Sequence, residues 1–134
     1  ANACIGKNLA QCAKYIGVSN PNCEWCAWFD RQCGIKANMN FGTSNIASQV
    51  RGVNGNVSFS ATTPKVGDLA LIDTHGGSSV GHVGIITAIT GNNITTVEGN
   101  MSGSVTTSIV KNASYDASGY SSTFGRIVYI GKNS

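Results

Sequence analysis

Apolar residues recur at Ile5, Leu9, Cys12, Ala13 and Ile16, a spacing that places them on one face of an amphipathic helix. Gly17 follows as a C-terminal cap. Asn20-Pro21 reads as the start of a second helix, with Asn as cap and Pro in the first turn. That helix runs through Cys23-Glu-Trp-Cys-Ala-Trp-Phe-Asp-Arg-Gln-Cys33 and stops at Gly34. A short third helix is predicted over residues 43–50, closed by Gly52. Beyond Gly52 the pattern changes to short segments rich in Val, Ile and Thr, separated by Gly, Asn, Ser and Pro. Strands are predicted over residues 57–59, 68–72, 82–89, 93–98, 105–110 and 126–130. Gly91-Asn92-Asn93 joins the third and fourth as a hairpin. Helices first and strands second predict an α+β fold, with N-terminal helices covering one face of a mostly antiparallel sheet of about six strands.

Composition narrows the class further. The 134 residues show no internal repeat and no linker-like stretch, so one domain over 1–134 is expected. Charged residues make up 11% of the chain, against roughly a quarter in average domains, and seventeen glycines fill part of the gap. This excludes a coiled coil, a collagen repeat and a charge-driven disordered chain. The longest apolar runs, residues 69–72 and 83–86, fall far short of a membrane span, so no membrane partner is expected. The net charge of +3 is spread over nine scattered cations, too sparse to track phosphates, and nucleic acid is not an expected partner. A mildly basic chain favours at most an anionic polymer such as a bacterial wall. The chain begins at Ala1, with no initiator Met and no signal peptide, and reads as a processed product or an excised domain.

Five cysteines, Cys4, Cys12, Cys23, Cys26 and Cys33, crowd the helical third, and an odd number leaves at least one outside any intrachain pair. If residues 5–16 and their flank form one helix, Cys4 and Cys12 are separated by about 12 Å along its axis. The gap between Cys26 and Cys33 is about 10 Å on the same reckoning, and both exceed a disulfide's span. Any disulfide is therefore expected to cross between the two helices, with Cys12 and Cys33 otherwise acting as small buried hydrophobes. Cys23-Glu-Trp-Cys26 also admits two alternatives. A thioredoxin-like redox pair lacks the strand that should precede it, and a zinc site lacks a second ligand pair.

Nucleophilic catalysis draws more of these features together. Cys26 falls in the first turns of its helix, where the positive end of the helix and unpaired N–H groups favour thiolate. The same N–H groups can hold a tetrahedral oxyanion. A thiol nucleophile needs a base, and the base needs an orienting partner. His82, in Gly81-His-Val-Gly-Ile-Ile86, opens a strand, and Glu98, in Val97-Glu-Gly-Asn100, ends the next. If Gly91-Asn92-Asn93 closes a hairpin, His82 lies close to Glu98 or Asn100 across the ladder. Glu98 is one of only two glutamates, so an acid opposite a histidine does not follow from abundance. His75, in a Gly/Ser loop, reads as a solvated or substrate-side residue rather than the base.

These segments carry a resemblance. Asn22-Cys-Glu-Trp-Cys-Ala-Trp-Phe29 is similar to the catalytic-cysteine motif of CHAP domains, the cysteine/histidine-dependent amidohydrolases and peptidases related to the NlpC/P60 group. Pro64-Lys-Val-Gly-Asp-Leu-Ala-Leu71 resembles their strand entry. Gly81-His-Val-Gly-Ile85 resembles the histidine motif, and Val97-Glu-Gly-Asn100 the block that closes the site. The order and spacing fit over nearly the whole chain. The resemblance implies a papain-like fold and peptidoglycan as substrate, cleaved at an amide bond through an acyl-enzyme with no cofactor. It assigns Cys26 as nucleophile, His82 as base, Glu98 as the group orienting His82, and Asn100 as a fourth polar member. Some relatives carry a calcium loop rich in aspartates near the N-terminus; here no Asp precedes Asp30, so no metal is expected.

The sequence thus predicts a cysteine-dependent peptidoglycan amidase or endopeptidase, a monomer acting outside the cytoplasmic membrane. An autolysin, a delivered toxin and a phage lysin or tail component all fit. Trp25, Trp28 and His75 are the candidate substrate-binding residues. The alternatives are an inactive wall-binding module of the same fold, a thiol-redox protein using Cys23 and Cys26, and a disulfide-stapled binding protein.

Overall fold

The computed structural model describes residues 2–18, 29, 32–33, 57–73, 81–101, 109–119 and 125–132, of which 100 and 101 are described by their backbone alone. Six strands form one antiparallel sheet: β1 (Val57–Ser58), β2 (Leu69–Asp73), β3 (His82–Thr90), β4 (Asn93–Met101), β5 (Ile109–Tyr115) and β6 (Arg126–Gly131). Their order across the sheet is β1-β6-β2-β3-β4-β5, so the last strand inserts between the first two. With helix α1 (Leu9–Ile16) at the N-terminus, the class is α+β, as the sequence predicts. No helix among the described residues is long and apolar enough to cross a membrane.

Helix α1 begins later than the apolar spacing suggests. Asn8 caps it by accepting from the Gln11 N–H, while the Gln11 side chain accepts from the Asn8 N–H. Gly17 ends it in the left-handed conformation, at φ 87°, as expected. Ile5 therefore lies outside the helix and is 39% exposed, whereas Cys4, in the 3-10 turn Asn2–Cys4, is buried in its place. This overturns the expectation that Cys4 and Cys12 lie far apart along one helix. The chain folds back at residues 5–8, and the two sulfurs are 3.1 Å apart.

Strand β2 is buried along its whole length because β3 and β6 flank it and both of its faces are covered. Leu69 and Leu71 join Val83, Ile85, Val97 and Val110 against α1, together with Phe29 and Cys33. Ala70 and Ile72 face the other way, toward Ile86, Ile94, Tyr115, Ile127 and Ile130. The sheet is thus apolar on both faces, not only on the helix-bearing one as expected. Fully burying a Leu or Ile stabilises by roughly 1.5–3 kcal/mol, so Leu69, Leu71 and Ile72 fix β2 firmly in the core. Its entry is a tight turn in which the Lys65 N–H donates to Asp68 Oδ2 at 2.9 Å, and Lys132 Nζ meets the same oxygen at 3.1 Å.

The β3–β4 hairpin closes at Thr90↔Asn93, as predicted, but its register shifts between Ile86 and Ala88. That bulge matters for orientation. Side chains alternate strictly along a strand, so an extra residue reverses which face the rest presents. Counted by strict alternation from the Ile89↔Ile94 pair, His82 would point to the α1 face. After the bulge Ile86 pairs with Thr96 and Ile85 with Val97, which turns His82, Gly84 and Ile86 to the face of Thr96 and Glu98.

Strand β5 runs to Tyr115, beyond the predicted end at residue 110; residues 105–108 of the prediction lie outside the described residues. Asn112 and Ser114 are exposed and half-buried Lys111 stands opposite Glu98 in the ladder, while Val110, Ala113 and Tyr115 are buried. Of the predicted second helix, Phe29, Gln32 and Cys33 are helical, and the third helix at 43–50 lies outside the described residues.

Candidate active site

Two neighbouring strands bring His82 and Glu98 together. His82 is the first residue of β3, and Glu98 lies in the last half of β4. Nε2 of His82 stands 2.8 Å from Oε1 of Glu98, with both atoms sealed from solvent. That separation is the distance of a close ion pair.

The approach depends on Gly84. Continuing the register past Ile85↔Val97 sets Gly84 opposite Glu98, two residues from His82 on the same face. A Cβ at residue 84 would come within 2.5 Å of Glu98 Cγ. The missing side chain is the space across which Glu98 reaches along β3 to the imidazole.

The far side of the carboxylate is held as firmly. Tyr115, at the end of β5, donates its hydroxyl to Glu98 Oε2 at 2.7 Å, and the Thr96 hydroxyl donates to the same oxygen. Glu98 and Thr96 have no exposure, and Tyr115 is 1% exposed. Burial alone would raise the Glu98 pKa, but its contacts with His82, Thr96 and Tyr115 outweigh that and hold it below the ordinary carboxylate range. Burial, then the charge of Glu98 and the bond to it, pushes the Tyr115 phenol well above its ordinary value, so it remains a donor.

A fixed, ionised carboxylate against an imidazole does two things. It sets the ring's orientation and tautomer, and it stabilises the positive charge that appears when the ring takes a proton. His82 is 8% exposed and is the first residue of its strand. His82 opens β3 and Glu98 stands three residues before the end of β4, so the pair lies toward one end of the sheet. Among the described residues, no group of three or more His, Cys, Asp or Glu side chains is arranged to hold a metal ion.

Of the residues singled out from sequence, the structure brings His82 and Glu98 together and places Asn100 on β4, two positions beyond Glu98. Cys23, Trp25, Cys26, Trp28 and His75 lie outside the described residues. Phe29, three positions after Cys26, is fully buried against Leu69, Leu71 and Val83 of the sheet. Gly84, Thr96 and Tyr115 escaped the sequence reading. Two-residue periodicity could have found Thr96 and Gly84, which share a face with Glu98 and His82. No local signal marks Tyr115, seventeen residues from its partner.

The model of the CHAP domain family matches residues 7–100, most of the chain. The chain belongs to the CHAP domain family. Among solved structures it is similar to Ly7917, at 22% identity with a TM-score of 0.43 over 78% of this chain and 50% of that one. It is similar also to Ly7917 with the hydrolyzing product of MDP, at 19% identity, a TM-score of 0.45 and the same coverage. The chain thus spans about half of each of those chains. No curated protein matches it.

Proposed function

We propose that this chain is a cysteine-dependent peptidoglycan hydrolase, a single catalytic domain of papain-like fold that cleaves an amide bond in the wall. The observation that carries this reading is the buried His82–Glu98 pair, 2.8 Å apart, in a chain of the CHAP family. A carboxylate at such depth needs compensation by charge and hydrogen bonds, and here these also orient an imidazole at the end of a strand.

In the proposed reaction Cys26 is the nucleophile. With Nε2 turned to Glu98, Nδ1 of His82 is the nitrogen that takes the thiol proton. The sulfur attacks the amide carbonyl carbon, and the oxyanion is held by N–H groups at the start of the Cys26 helix. Collapse of the tetrahedral intermediate breaks the C–N bond as His82 passes its proton to the leaving amine, which leaves a thioester on Cys26. Water, deprotonated by His82, then hydrolyses that thioester and restores the thiol. Glu98 stays ionised throughout and stabilises the imidazolium formed in each half-reaction. Asn100 completes the polar set, while Trp25, Trp28 and His75 line the substrate side. The bond is either the N-acetylmuramoyl–L-alanine amide or one within the stem peptide or cross-bridge. The enzyme acts as a monomer outside the cytoplasmic membrane.

Incubation with purified sacculi, followed by mass spectrometry of the released fragments, tests this. New amino groups without new reducing ends are expected, and the fragment masses name the bond. Reducing sugar ends without new amines would make the protein a glycosidase and refute the proposal.

A further inference from the structure

Two thiols that the proposed chemistry does not use meet on the α1 side of the sheet. Cys12 projects from α1, and its thiol donates to the sulfur of Cys4 at 3.1 Å. Cys4 is 2% exposed and Cys12 not at all. The backbone fixes this approach from several directions. The Lys7 N–H donates to the Cys4 carbonyl at 2.9 Å, which closes the turn. The Gly6 N–H donates to the Val110 carbonyl at 2.8 Å, and the Val110 N–H to that of Lys7 at 2.9 Å, which ties the turn to β5. The Asn8 cap then sets where α1 begins. Burial, followed by the contact with Cys4, pushes the Cys12 thiol well above its ordinary range, so in the folded chain it is a neutral thiol.

We propose that Cys4 and Cys12 are the two halves of a structural disulfide that closes residues 4–12 into a ring and fastens the N-terminal turn to α1. The proposal rests on the reading above only in that a wall hydrolase works in oxidising surroundings, where such bonds persist. The sulfurs are about one ångström beyond bonding distance, and their backbones are already held together. Oxidation takes one proton from each thiol and two electrons from the pair. The acceptor is an external disulfide, that of a thiol oxidoreductase or of an oxidised small thiol. Its S–S bond breaks as the Cys4–Cys12 bond forms, and it leaves as two thiols. Because Cys12 has no solvent access once folded, the exchange takes place before the N-terminal turn docks. Pairing these two also removes two of the three other thiols, Cys4, Cys12 and Cys33, from competing exchange with Cys23 and Cys26.

Lys7 lies between the two cysteines and Lys14 follows them, which makes the bond directly readable. The full chain, refolded in reduced and oxidised glutathione, is blocked with N-ethylmaleimide and digested with trypsin without reductant. The expected product is residues 1–7 joined to residues 8–14, separating on reduction. Recovery of the two peptides singly, each carrying the maleimide, or of either joined to another cysteine, overturns the proposal. Reductant should also lower the melting temperature of the wild type by roughly 5–15 °C and leave that of Cys4→Ala/Cys12→Ala unmoved. A wild-type melting temperature that ignores reductant contradicts the structural role. None of these readouts involves hydrolysis, so they stand or fall apart from the activity on sacculi.

Discussion

Glu98 lies across Gly84, whose missing side chain is the gap through which the carboxylate reaches His82. A Cβ there would sit 2.5 Å from Glu98 Cγ, closer than two carbons approach. Gly84→Ala is therefore expected to displace Glu98, and overpacking of this kind costs about 1–3 kcal/mol. Activity should fall further than stability, by roughly one to three orders of magnitude, since a displaced Glu98 no longer orients the ring. Melting curves and rates on sacculi, measured together, check this; unchanged rates would show that the close approach is not needed.

Tyr115 should position Glu98 without contacting substrate. Tyr115→Phe removes one hydrogen bond to a buried charge, worth about 1.5–3 kcal/mol, and leaves the shape of the core intact. The rate should fall because Glu98 is freer to leave His82, and the acid limb of the pH–rate profile should move to higher pH, since Glu98 then holds its proton more tightly. A variant that is less stable but keeps the wild-type profile would reduce Tyr115 to a core residue.

The lowered pKa of Glu98 predicts how stability depends on pH. A carboxyl group that ionises more readily folded than unfolded contributes stability above its unfolded value, near 4.3, and loses it as pH falls through the folded one. The wild type should therefore lose stability in acid more steeply than Glu98→Gln, which is less stable at neutral pH. Urea titrations from pH 7 to 3 should show the two curves converging. Parallel curves would mean that Glu98 is not ionised in the fold.

Cys26→Ser should abolish turnover with the fold intact. A hydroxyl has no accessible anion at neutral pH and needs a stronger base than an imidazole set up for a thiol. Adding His82→Ala to Cys26→Ser should cost little more, because the two act as one unit. Residual rates of the single and double variants on sacculi measure this, and additive losses would argue against the pairing.

Strand positions were legible because alternation of Val, Ile and Thr reports burial directly, and the hairpin at Gly91 already implied that His82 and Glu98 are neighbours. What could not be read was how they meet. The bulge between Ile86 and Ala88 has no signature in the local residues, yet it decides which face His82 presents. Tyr115 was hidden because polar residues on an edge strand look like the end of one. Cys4 and Cys12 were misjudged because Ile5 fits the helical spacing, whereas the Asn8–Gln11 capping box starts the helix at Leu9. Local hydrogen bonding outweighed one apolar side chain there.

The most direct test of the account is the rate at which His82→Ala releases amino groups from sacculi, beside the wild type and His75→Ala, with circular dichroism showing all three folded. A loss of at least about a thousandfold is expected for His82→Ala, since the base of a nucleophile–base unit is removed. His75→Ala should stay within a few-fold of wild type. Full activity in His82→Ala, or the reverse order of the two histidines, would contradict it.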